Sequence, residues 1–390
     1  MRKRKICFVI TNYIHYSRNL LILDELNRRD DVELSIVVGG SALITKYSAS
    51  SGSVLTQLKE DGFKHIYEIY FSLEGDNTTV KAKTAGLGIV EYATLFNNIK
   101  PDMVVVRGDR FEVLSAALTA AYMNIPVGHI EGGDVSGTLD ESVRHAITKL
   151  AHVHFVTNED AYKRLVRMGE NPKSVHYFGS PDVEVASVLG KKPLDIAGMG
   201  KTGSGSAFDP KDGYLMVMYH SVWGDAGQKK LVAQNTKALL QTIHELHRPT
   251  LWFWPNIDVG SEDISHELRR FNDSTKEHRI RFMRYLPPRL FLPLLNNADC
   301  LIGNSSSGLK ECSYLGVPVV NVGSRQGGRL RAPNVVDVEY EKEKLSRAIV
   351  KQAAVKKYPT ANVYYKKNTA SNIAKVLATT PLNVQKRFHE

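Results

Sequence analysis

The chain has 390 residues, of which 43% are hydrophobic, so it can bury large cores and is expected to form two domains rather than one. Lysine and arginine total 51 against 41 aspartates and glutamates, giving a formal net charge of +10 that is compatible with an anionic partner. The basic residues are spread along the chain, which argues against a nucleic-acid-binding surface. A small anionic substrate and an ordinary solvated surface both remain as explanations of the charge.

Targeting and metal-binding signals are not visible in the sequence. No apolar run approaches the roughly 20 residues needed to cross a bilayer, and the basic start MRKRK leads into a short strand-like run and not into a signal peptide. Cys7, Cys300 and Cys312 form no zinc-type spacing. We therefore expect a cytoplasmic protein with no metal, no cofactor and no membrane contact, whose cysteines are small buried hydrophobes.

The first half of the chain alternates strand and helix signals. Ile6–Ile10 is an apolar run typical of a parallel strand covered on both faces, and Ser17 is a candidate N-cap of the following helix. A Gly- and Ser-rich loop is expected over residues 39–53. Further strands are predicted at 34–38, 103–106, 126–130 and 153–156, and further helices at 78–98, 116–123 and 141–150. This alternation predicts a doubly wound parallel sheet.

The second half restarts the same rhythm after residues 190–213, a stretch rich in Gly, Ser, Lys and Pro that we interpret as a linker. Strands are predicted at 214–219, 250–254, 281–283, 300–303 and 318–321, and helices at 228–246, 264–271, 308–315, 340–354 and 372–378. The predicted organisation is an N-terminal domain (1–189), a linker (190–213), a C-terminal domain (214–370), and a helix or tail (371–390) that packs back on the first domain. Two such Rossmann-like domains would place the carboxyl ends of their strands on either side of a cleft.

Several acidic residues follow strands of the first domain. Asp109, Glu131 and Asp140 are expected in turns between regular elements, where carboxylates can reach a ligand. Each also has a structural explanation: Asp109 as a helix N-cap, Glu131 as a turn residue, and Asp140, with Glu141, as a favourable start to a helix. Their combination in one domain favours acid–base chemistry.

A small polar turn, Asn304–Ser307, separates a short strand from a predicted helix in the second domain. Its backbone N–H groups, its hydroxyls and the helix N-terminus would suit a phosphate or diphosphate, although a serine N-cap explains the same residues. Glu311 is either a hydrogen-bond acceptor for a ribose diol or part of an ordinary first-turn cap.

Other candidate groups also lie at strand ends of the second domain. Arg325, Arg329 and Arg331 occupy a Gly-rich loop, where they are either solvated or anion-binding. His220 and Asn256 each follow a predicted strand, with a structural histidine and a turn asparagine as the simpler interpretations. The residues alone leave these alternatives open.

The motifs GDR, GHIEGGDVSGTLDESVRHAITKLAH, PNIDVGS, GNSSSGLKE and GVPVVNVGSRQGGR, taken in order along nearly the whole chain, closely resemble the hydrolysing UDP-N-acetylglucosamine 2-epimerases of sialic-acid and related nonulosonic-acid synthesis. The resemblance implies a glycosyltransferase-B-type fold. It also implies elimination of UDP from a UDP-2-acetamido sugar to give a glycal, followed by water addition to yield the free 2-epimeric sugar. A homodimer or homotetramer is expected on the same ground.

The resemblance implies catalytic roles for Asp109, Glu131, Asp140 and His220, and substrate-binding roles for Ser17, Arg110, Asn256, Ser305, Ser306, Glu311 and Arg325. One departure is visible near the start of the chain. Family members usually carry an arginine soon after the first strand, whereas here the run is TNYIHYSR, with Tyr13 at that place and Arg18 as a possible replacement. Two other functions are kept as alternatives: a non-hydrolysing 2-epimerase, and a UDP-sugar-binding sensor without turnover.

Overall fold

The structure, a computed structural model, describes residues 2–44, 53–75, 77–136, 139–195, 203–222, 229–256 and 260–390. The chain divides into two compact units: unit 1 comprises Met1–Val135, Leu139–Val185 and Tyr364–Glu390, and unit 2 is mainly Ala186–Val363. Over the described ranges, each unit shows one seven-stranded sheet interleaved with helices. The predicted α/β class with two doubly wound sheets is therefore confirmed.

The sheet of unit 1 is parallel throughout and has the order β3-β2-β1-β4-β5-β6-β7. Its strands are β1 (Arg4–Ile10), β2 (Val32–Val38), β3 (His65–Glu68), β4 (Met103–Arg107), β5 (Val127–Ile130), β6 (Val153–Val156) and β7 (Val175–Tyr177). The chain builds outward from β1 in one direction and from β4 in the other, so the topological switch point lies between β1 and β4. Ligands of open parallel sheets bind beyond the carboxyl ends of strands at such a point.

The helices of unit 1 are α1 (Tyr13–Asn27), α2 (Val54–Glu60), α3 (Thr78–Ile99), α4 (Phe111–Tyr122), α5 (Leu139–Leu150), α6 (Glu159–Arg167) and, near the end of the chain, α13 (Thr369–Thr379). Helix α7 (Pro181–Leu189) begins in unit 1 and ends in the first residues of unit 2. The prediction that Ser17 caps α1 is wrong. Asn12 is the N-cap and accepts a 2.8 Å hydrogen bond from the His15 N–H, while the Ser17 hydroxyl donates to the Ile14 carbonyl from within the helix. Asparagine is as good a cap as serine, so the helix begins one turn earlier.

The last segment of the chain belongs to unit 1. Helix α13 packs against α1 and β1, and Arg4 Nη1 donates to the Leu377 carbonyl at 2.9 Å. Beyond α13 the chain continues without regular structure to Glu390, and it is fixed to the unit by Lys386, whose ammonium donates to three carbonyls at the end of α5.

The sheet of unit 2 has the order β14-β13-β12-β9-β10-β11-β8, and its strands are parallel except for β8. The strands are β8 (Ser204–Gly205), β9 (Leu215–Met218), β10 (Thr250–Phe253), β11 (Ile280–Met283), β12 (Cys300–Gly303), β13 (Val319–Val322) and β14 (Val335–Val338). The switch point lies between β9 and β12. Short β8 pairs with β11, so part of the stretch we interpreted as a linker adds an edge strand to this sheet.

The helices of unit 2 are α8 (Lys229–Glu245), α9 (Ser261–Ser274), α10 (Pro288–Asn297), α11 (Glu311–Leu315) and α12 (Lys342–Val355). The helix predicted over 308–315 is shorter than expected. A 3-10 helix, Ser306–Gly308, comes first, and α11 begins only at Glu311. Within the described ranges, no helix combines the length and apolar character needed to span a membrane.

Candidate active site

Two predicted catalytic carboxylates follow neighbouring strands of unit 1. Asp109 comes two residues after β4 ends at Arg107, and Glu131 follows β5 directly. Because β4 and β5 are adjacent and parallel, both residues lie at the same edge of the sheet, next to the switch point.

Asp109 is held by a buried arginine and does not cap a helix. The N-cap position of α4 is Arg110, and its side chain makes no capping bond, so the structural explanation of Asp109 as an N-cap is wrong. Instead, Arg144 Nη2 donates to the Asp109 carboxylate, while Arg144 Nη1 donates to the Asp134 carbonyl at 2.7 Å. About a quarter of the Asp109 side chain stays exposed, whereas Arg144 is buried, so a ligand can still reach part of this carboxylate.

Glu131 has a backbone conformation that glutamate rarely adopts. Its φ is +69°, in the left-handed region, and its N–H donates to the Phe155 carbonyl at 2.9 Å, which continues the pairing of β5 with β6. A non-glycine residue in this region costs on the order of 1 kcal/mol or more. Such strain is retained where the surrounding structure fixes it, and it is enriched at functional sites.

Arg107, the last residue of β4, organises the carboxylates around it. Its Nε donates to Glu131 Oε2 at 3.1 Å, its Nη2 donates to Asp182, and its Nη1 donates to Asn19 Oδ1 at 3.1 Å. Burial alone would lower the pKa of Arg107, but attraction to Asp182 and Glu131 outweighs it and raises that pKa above its ordinary value. Sequence reasoning did not single out Arg107, Asp182 or Asn19. The available signal was an arginine at the end of an otherwise apolar strand.

The remaining candidates of unit 1 lie on helices at this edge. Asp140 is the second residue of α5 and not a turn residue, because α5 begins two residues earlier than predicted. Arg110 pairs with Glu112, with Nε and Nη2 each 3.1 Å from a carboxylate oxygen. Ser17 is one turn into α1 and largely buried.

In unit 2, His220 and Asn304 follow the two strands that flank the switch point, β9 and β12. They form a reciprocal pair: the His220 N–H donates to Asn304 Oδ1, and Asn304 Nδ2 donates to the His220 carbonyl, both at 2.8 Å. This pairing needs a close approach of the two strand ends. Gly303 has φ +126°, and a Cβ there would lie 2.2 Å from the Met218 carbonyl oxygen, so glycine is required at this position.

The tautomer of His220 follows from its contacts. The backbone N–H of Asn256 donates to His220 Nδ1 at 3.1 Å, so Nδ1 accepts and carries no proton. A neutral His220 ring therefore holds its proton on Nε2 and can donate a hydrogen bond from that atom. Asn256 thus contributes through its backbone, which the sequence pattern could not distinguish from a role for its side chain.

The polar turn after β12 is stabilised by its own side chains. Ser305 Oγ accepts from the Ser307 N–H at 3.3 Å, so the capping interpretation of Ser305 is confirmed for the 3-10 helix. Ser307 Oγ donates to Glu311 Oε1 at 3.2 Å. With α11 only five residues long, a helix dipole contributes little here, and the hydroxyls of Ser305 and Ser306 remain the relevant candidate donors.

The arginines of the Gly-rich loop have different environments. Arg325 Nη1 donates to the Asn304 carbonyl at 3.1 Å, and Gln326 Nε2 donates to the same oxygen at 2.8 Å, so this part of the loop is tied to the polar turn. Arg331 instead forms an ion pair with Asp337 at 2.8 Å. The structure therefore brings Arg325 together with Asn304 and His220, and it places Arg331 in a local pair with β14.

Each unit thus brings together one set of functional groups at a sheet edge. Unit 1 supplies carboxylates supported by buried arginines, a combination suited to proton transfer. Unit 2 supplies hydroxyls, an arginine and a histidine Nε2–H donor, a combination suited to an anionic leaving group. No cluster of His, Cys, Asp or Glu side chains within the described ranges has the arrangement of a metal site.

Comparisons with known proteins agree with this chemistry. A family model described as UDP-N-acetylglucosamine 2-epimerase matches residues 24–378. The UDP-N,N′-diacetylbacillosamine 2-epimerase (hydrolyzing) of Legionella pneumophila is 31% identical over 382 residues, covering 98% of this chain and 97% of that protein. A GDP/UDP-N,N′-diacetylbacillosamine 2-epimerase (hydrolyzing) of Campylobacter jejuni is 32% identical, covering 87% and 85%. The crystal structure of a UDP-GlcNAc 2-epimerase from Neisseria meningitidis bound to UDP-GlcNAc matches in fold, with a TM-score of 0.76 at 16% identity over 96% and 99% of the two chains.

Proposed function

Because this chain belongs to the UDP-N-acetylglucosamine 2-epimerase family, we propose that it is a hydrolysing 2-epimerase that converts a UDP-2-acetamido sugar to UDP and the free 2-epimeric sugar. The observation that carries the proposal is the nearly full-length similarity to the Legionella protein named as a hydrolysing enzyme. UDP-N-acetylglucosamine and UDP-N,N′-diacetylbacillosamine are the two candidate substrates. The free sugar would feed the synthesis of sialic or related nonulosonic acids.

The proposed chemistry requires proton removal at a carbon that no adjacent carbonyl acidifies. A base must therefore act while the bond from C1 to UDP weakens, and a positioned general base contributes about 10² to 10⁴-fold. We assign this acid–base work to Asp109, Glu131 and Asp140. Their surroundings support the assignment, because Arg144 and Arg107 hold two of the three carboxylates in fixed orientations.

The leaving diphosphate is assigned to groups of unit 2. Ser305, Ser306 and Arg325 would donate to its oxygens, and Glu311 would accept from the ribose hydroxyls. His220 would donate from Nε2 and not act as a base, since its Nδ1 already accepts the Asn256 N–H. Preorganised donors of this kind stabilise charge that develops on a leaving group. Arg110 and Ser17 complete the proposed substrate contacts from unit 1.

One experiment tests the function against its alternatives. The protein is incubated with each candidate UDP-sugar in deuterated water, and UDP and sugar products are followed by chromatography and NMR. Free 2-epimeric sugar carrying deuterium at C2, together with equimolar UDP, is the expected result. A UDP-linked epimer without free UDP would instead identify a non-hydrolysing 2-epimerase. Tight binding without any product would identify a sensor.

Assembly and location belong to the same proposal. We expect a homodimer or homotetramer acting in the cytoplasm. Light scattering after size-exclusion chromatography tests the assembly, and a monomer at micromolar concentration would contradict it.

A further inference from the structure

A chain of buried charges lies behind Glu131, and the family resemblance does not assign it a role. Arg107 is 1% exposed and contacts two carboxylates, Glu131 through Nε and Asp182 through Nη2. Its third contact is Asn19 Oδ1 at 3.1 Å, and the Asn19 amide is oriented by donating to the His15 carbonyl at 2.7 Å. The guanidinium is therefore fixed from three sides.

The two carboxylates on Arg107 differ in access. The Asp182 side chain is fully buried, and it also receives Arg18, whose Nε lies 3.4 Å from Asp182 Oδ2. The Glu131 side chain keeps 10% of its surface exposed, so it is the member of the pair that a substrate can reach. Asp182 thus holds the guanidinium within the core, while Glu131 keeps the exposed surface that a ligand can reach.

We propose that Arg107 and Asp182 are positioning residues that keep Glu131 ionised and oriented, so that Glu131 is the base that accepts the C2 proton. This assignment rests on the proposed function. It distinguishes Glu131 from Asp109 and Asp140, which then remain for acid catalysis and for the water-addition step.

The physical basis is the electrostatics of a nearly buried carboxylate. Removal from water favours the protonated form of a carboxylic acid, whereas an adjacent guanidinium and a hydrogen bond to the charged form favour ionisation. Arg107 supplies both effects at 3.1 Å. The left-handed backbone of Glu131 needs the same support, because strained conformations persist only where contacts over-determine them.

Two histidines in the described part of the chain interact with Glu131, and neither carries a positive charge near pH 7. His15 on α1 and His129 on β5 both interact electrostatically with Glu131. Burial, followed by repulsion from Arg107, Arg110 and Arg18, holds the pKa of His15 well below its ordinary value. Burial lowers the pKa of His129 to about 3. Both rings are therefore neutral near pH 7, and Arg18 is paired with Asp182.

The step balances without a further reactant. The C2–H bond breaks and its proton moves to the Glu131 carboxylate, while the bonding pair forms the C1–C2 double bond of the glycal. The C1–O bond breaks and its electron pair leaves with UDP. Water then adds across this double bond: its oxygen binds C1, a carboxylate accepts its remaining proton, and an acidic group donates a proton to C2.

The test is the pH dependence of kcat/KM, whose acidic limb reports the essential base of the free enzyme. Arg107→Gln removes the counter-charge, so the acidic limb should move to higher pH by about one unit or more, with about 10²-fold lower kcat. Arg107→Lys keeps the positive charge but loses the planar guanidinium and its several N–H donors. The acidic limb should therefore stay in place while kcat falls about 10-fold. Asp182→Asn removes the second negative charge beside Arg107, so the acidic limb should stay in place or move to lower pH although kcat falls.

Asp102→Asn is the matched control, because Asp102 pairs with exposed Arg2 at 2.7 Å at the amino ends of the strands of the same sheet. Its pH profile should equal that of the wild type.

A merely structural role of Arg107 and Asp182 would lower kcat in all their variants, but it would not move the acidic limb upward in Arg107→Gln alone. An unmoved limb in Arg107→Gln overturns the assignment. If that variant does not fold, as judged by circular dichroism, an upward shift in Asp182→Asn overturns it instead. Absence of turnover in the wild-type chain refutes the proposed function itself, whereas turnover with these contrary profiles refutes only the assignment to Glu131.

Discussion

The end of the chain is fixed to unit 1 by a buried carboxylate, and removing its charge should destabilise that unit. Glu170 accepts from Lys386 at 2.6 Å and from Lys149 at 2.9 Å, and His154 Nε2 lies 3.0 Å from its Oε2. Its side chain is 1% exposed. Lys386 also donates to the last carbonyls of α5, the helix that carries Arg144 and Asp140, so the same contacts support the proposed catalytic edge.

The expected magnitude follows from the pKa of Glu170. Burial would raise it, but the bonds from His154, Lys386 and Lys149 outweigh burial and lower it from 4.5 to about 2. A shift of this size corresponds to at most about 3 kcal/mol. Because the folded-state pKa is depressed, this stability is fully present above pH 4.5 and is lost as the pH falls through about 2. Glu170→Gln should therefore lower the free energy of unfolding of unit 1 at pH 7 by up to about 3 kcal/mol. At pH 3 the difference in this free energy between wild type and variant should be about 2 kcal/mol smaller.

Urea unfolding can show whether the loss of stability is confined to unit 1. Trp252 and Trp254 lie in the described part of unit 2, and the sequence of unit 1 contains no tryptophan, so tryptophan fluorescence does not follow unit 1, whereas circular dichroism follows both units. Glu170→Gln should shift the dichroism transition and leave the fluorescence transition in place. Glu159→Gln, which removes an exposed pair with Lys163, is the control and should change neither. If the free energies of unfolding of wild type and Glu170→Gln differ by the same amount at pH 7 and pH 3, the reasoning is refuted. That result would show that the ionised Glu170 carboxylate is not what stabilises the fold.

Four further substitutions test the proposed site. Asp109→Asn should lower kcat by about 10² to 10⁴-fold while calorimetry shows UDP affinity close to that of the wild type; a large loss of UDP affinity would contradict an acid–base role. His220→Ala removes the Nε2–H donor and should lower kcat strongly, and full turnover in this variant would exclude a role for donation from Nε2. Ser305→Ala should weaken UDP binding by about 1 kcal/mol in the same titration, and unchanged affinity would remove it from the diphosphate contacts. Gly303→Ala should give little folded protein by circular dichroism, because its Cβ would overlap the Met218 carbonyl; a normal melting curve would contradict that geometry.

Most of the fold was predictable because its strands are short apolar runs buried on both faces. Ile6–Ile10 and Leu215–Met218 both fall within strands predicted from the sequence alone. Boundaries were less predictable where local alternatives compete. Asn12 and Ser17 are both good helix caps, and the choice between them depends on where β1 ends, which propensity does not determine.

The candidate site was predictable to the extent that its groups follow strands. His220 and Asp109 were identified by position, since parallel strands place their carboxyl ends at one edge. Arg107, Arg144 and Asp182 were not, because a buried ion pair has no signature of spacing: its members come from β4, α5 and α7, and only the fold brings them together. The residues that hold the functional groups of a site in place are therefore the part that sequence patterns reveal least.

The turn after β1 is where the chain departs from the pattern usual in its family. Tyr13 is buried and lies edge-on to Tyr16, with ring centroids 6.4 Å apart, so it belongs to the core-facing side of α1. A buried tyrosine ring cannot supply the positive charge that an arginine would bring to this turn.

Arginines from α1 and from the end of β4 nevertheless bring positive charge to this edge of unit 1. Arg18, Arg107 and Arg110 all act on the buried ring of His15, and each lowers its pKa by repulsion after the larger effect of burial. Each guanidinium also pairs with a carboxylate: Arg18 with Asp182, Arg107 with Asp182 and Glu131, and Arg110 with Glu112. Because these carboxylates offset the arginine charge, the arginines do not simply replace the cation that is usual at the turn. The departure at Tyr13 therefore bears on which atoms of the substrate are contacted there.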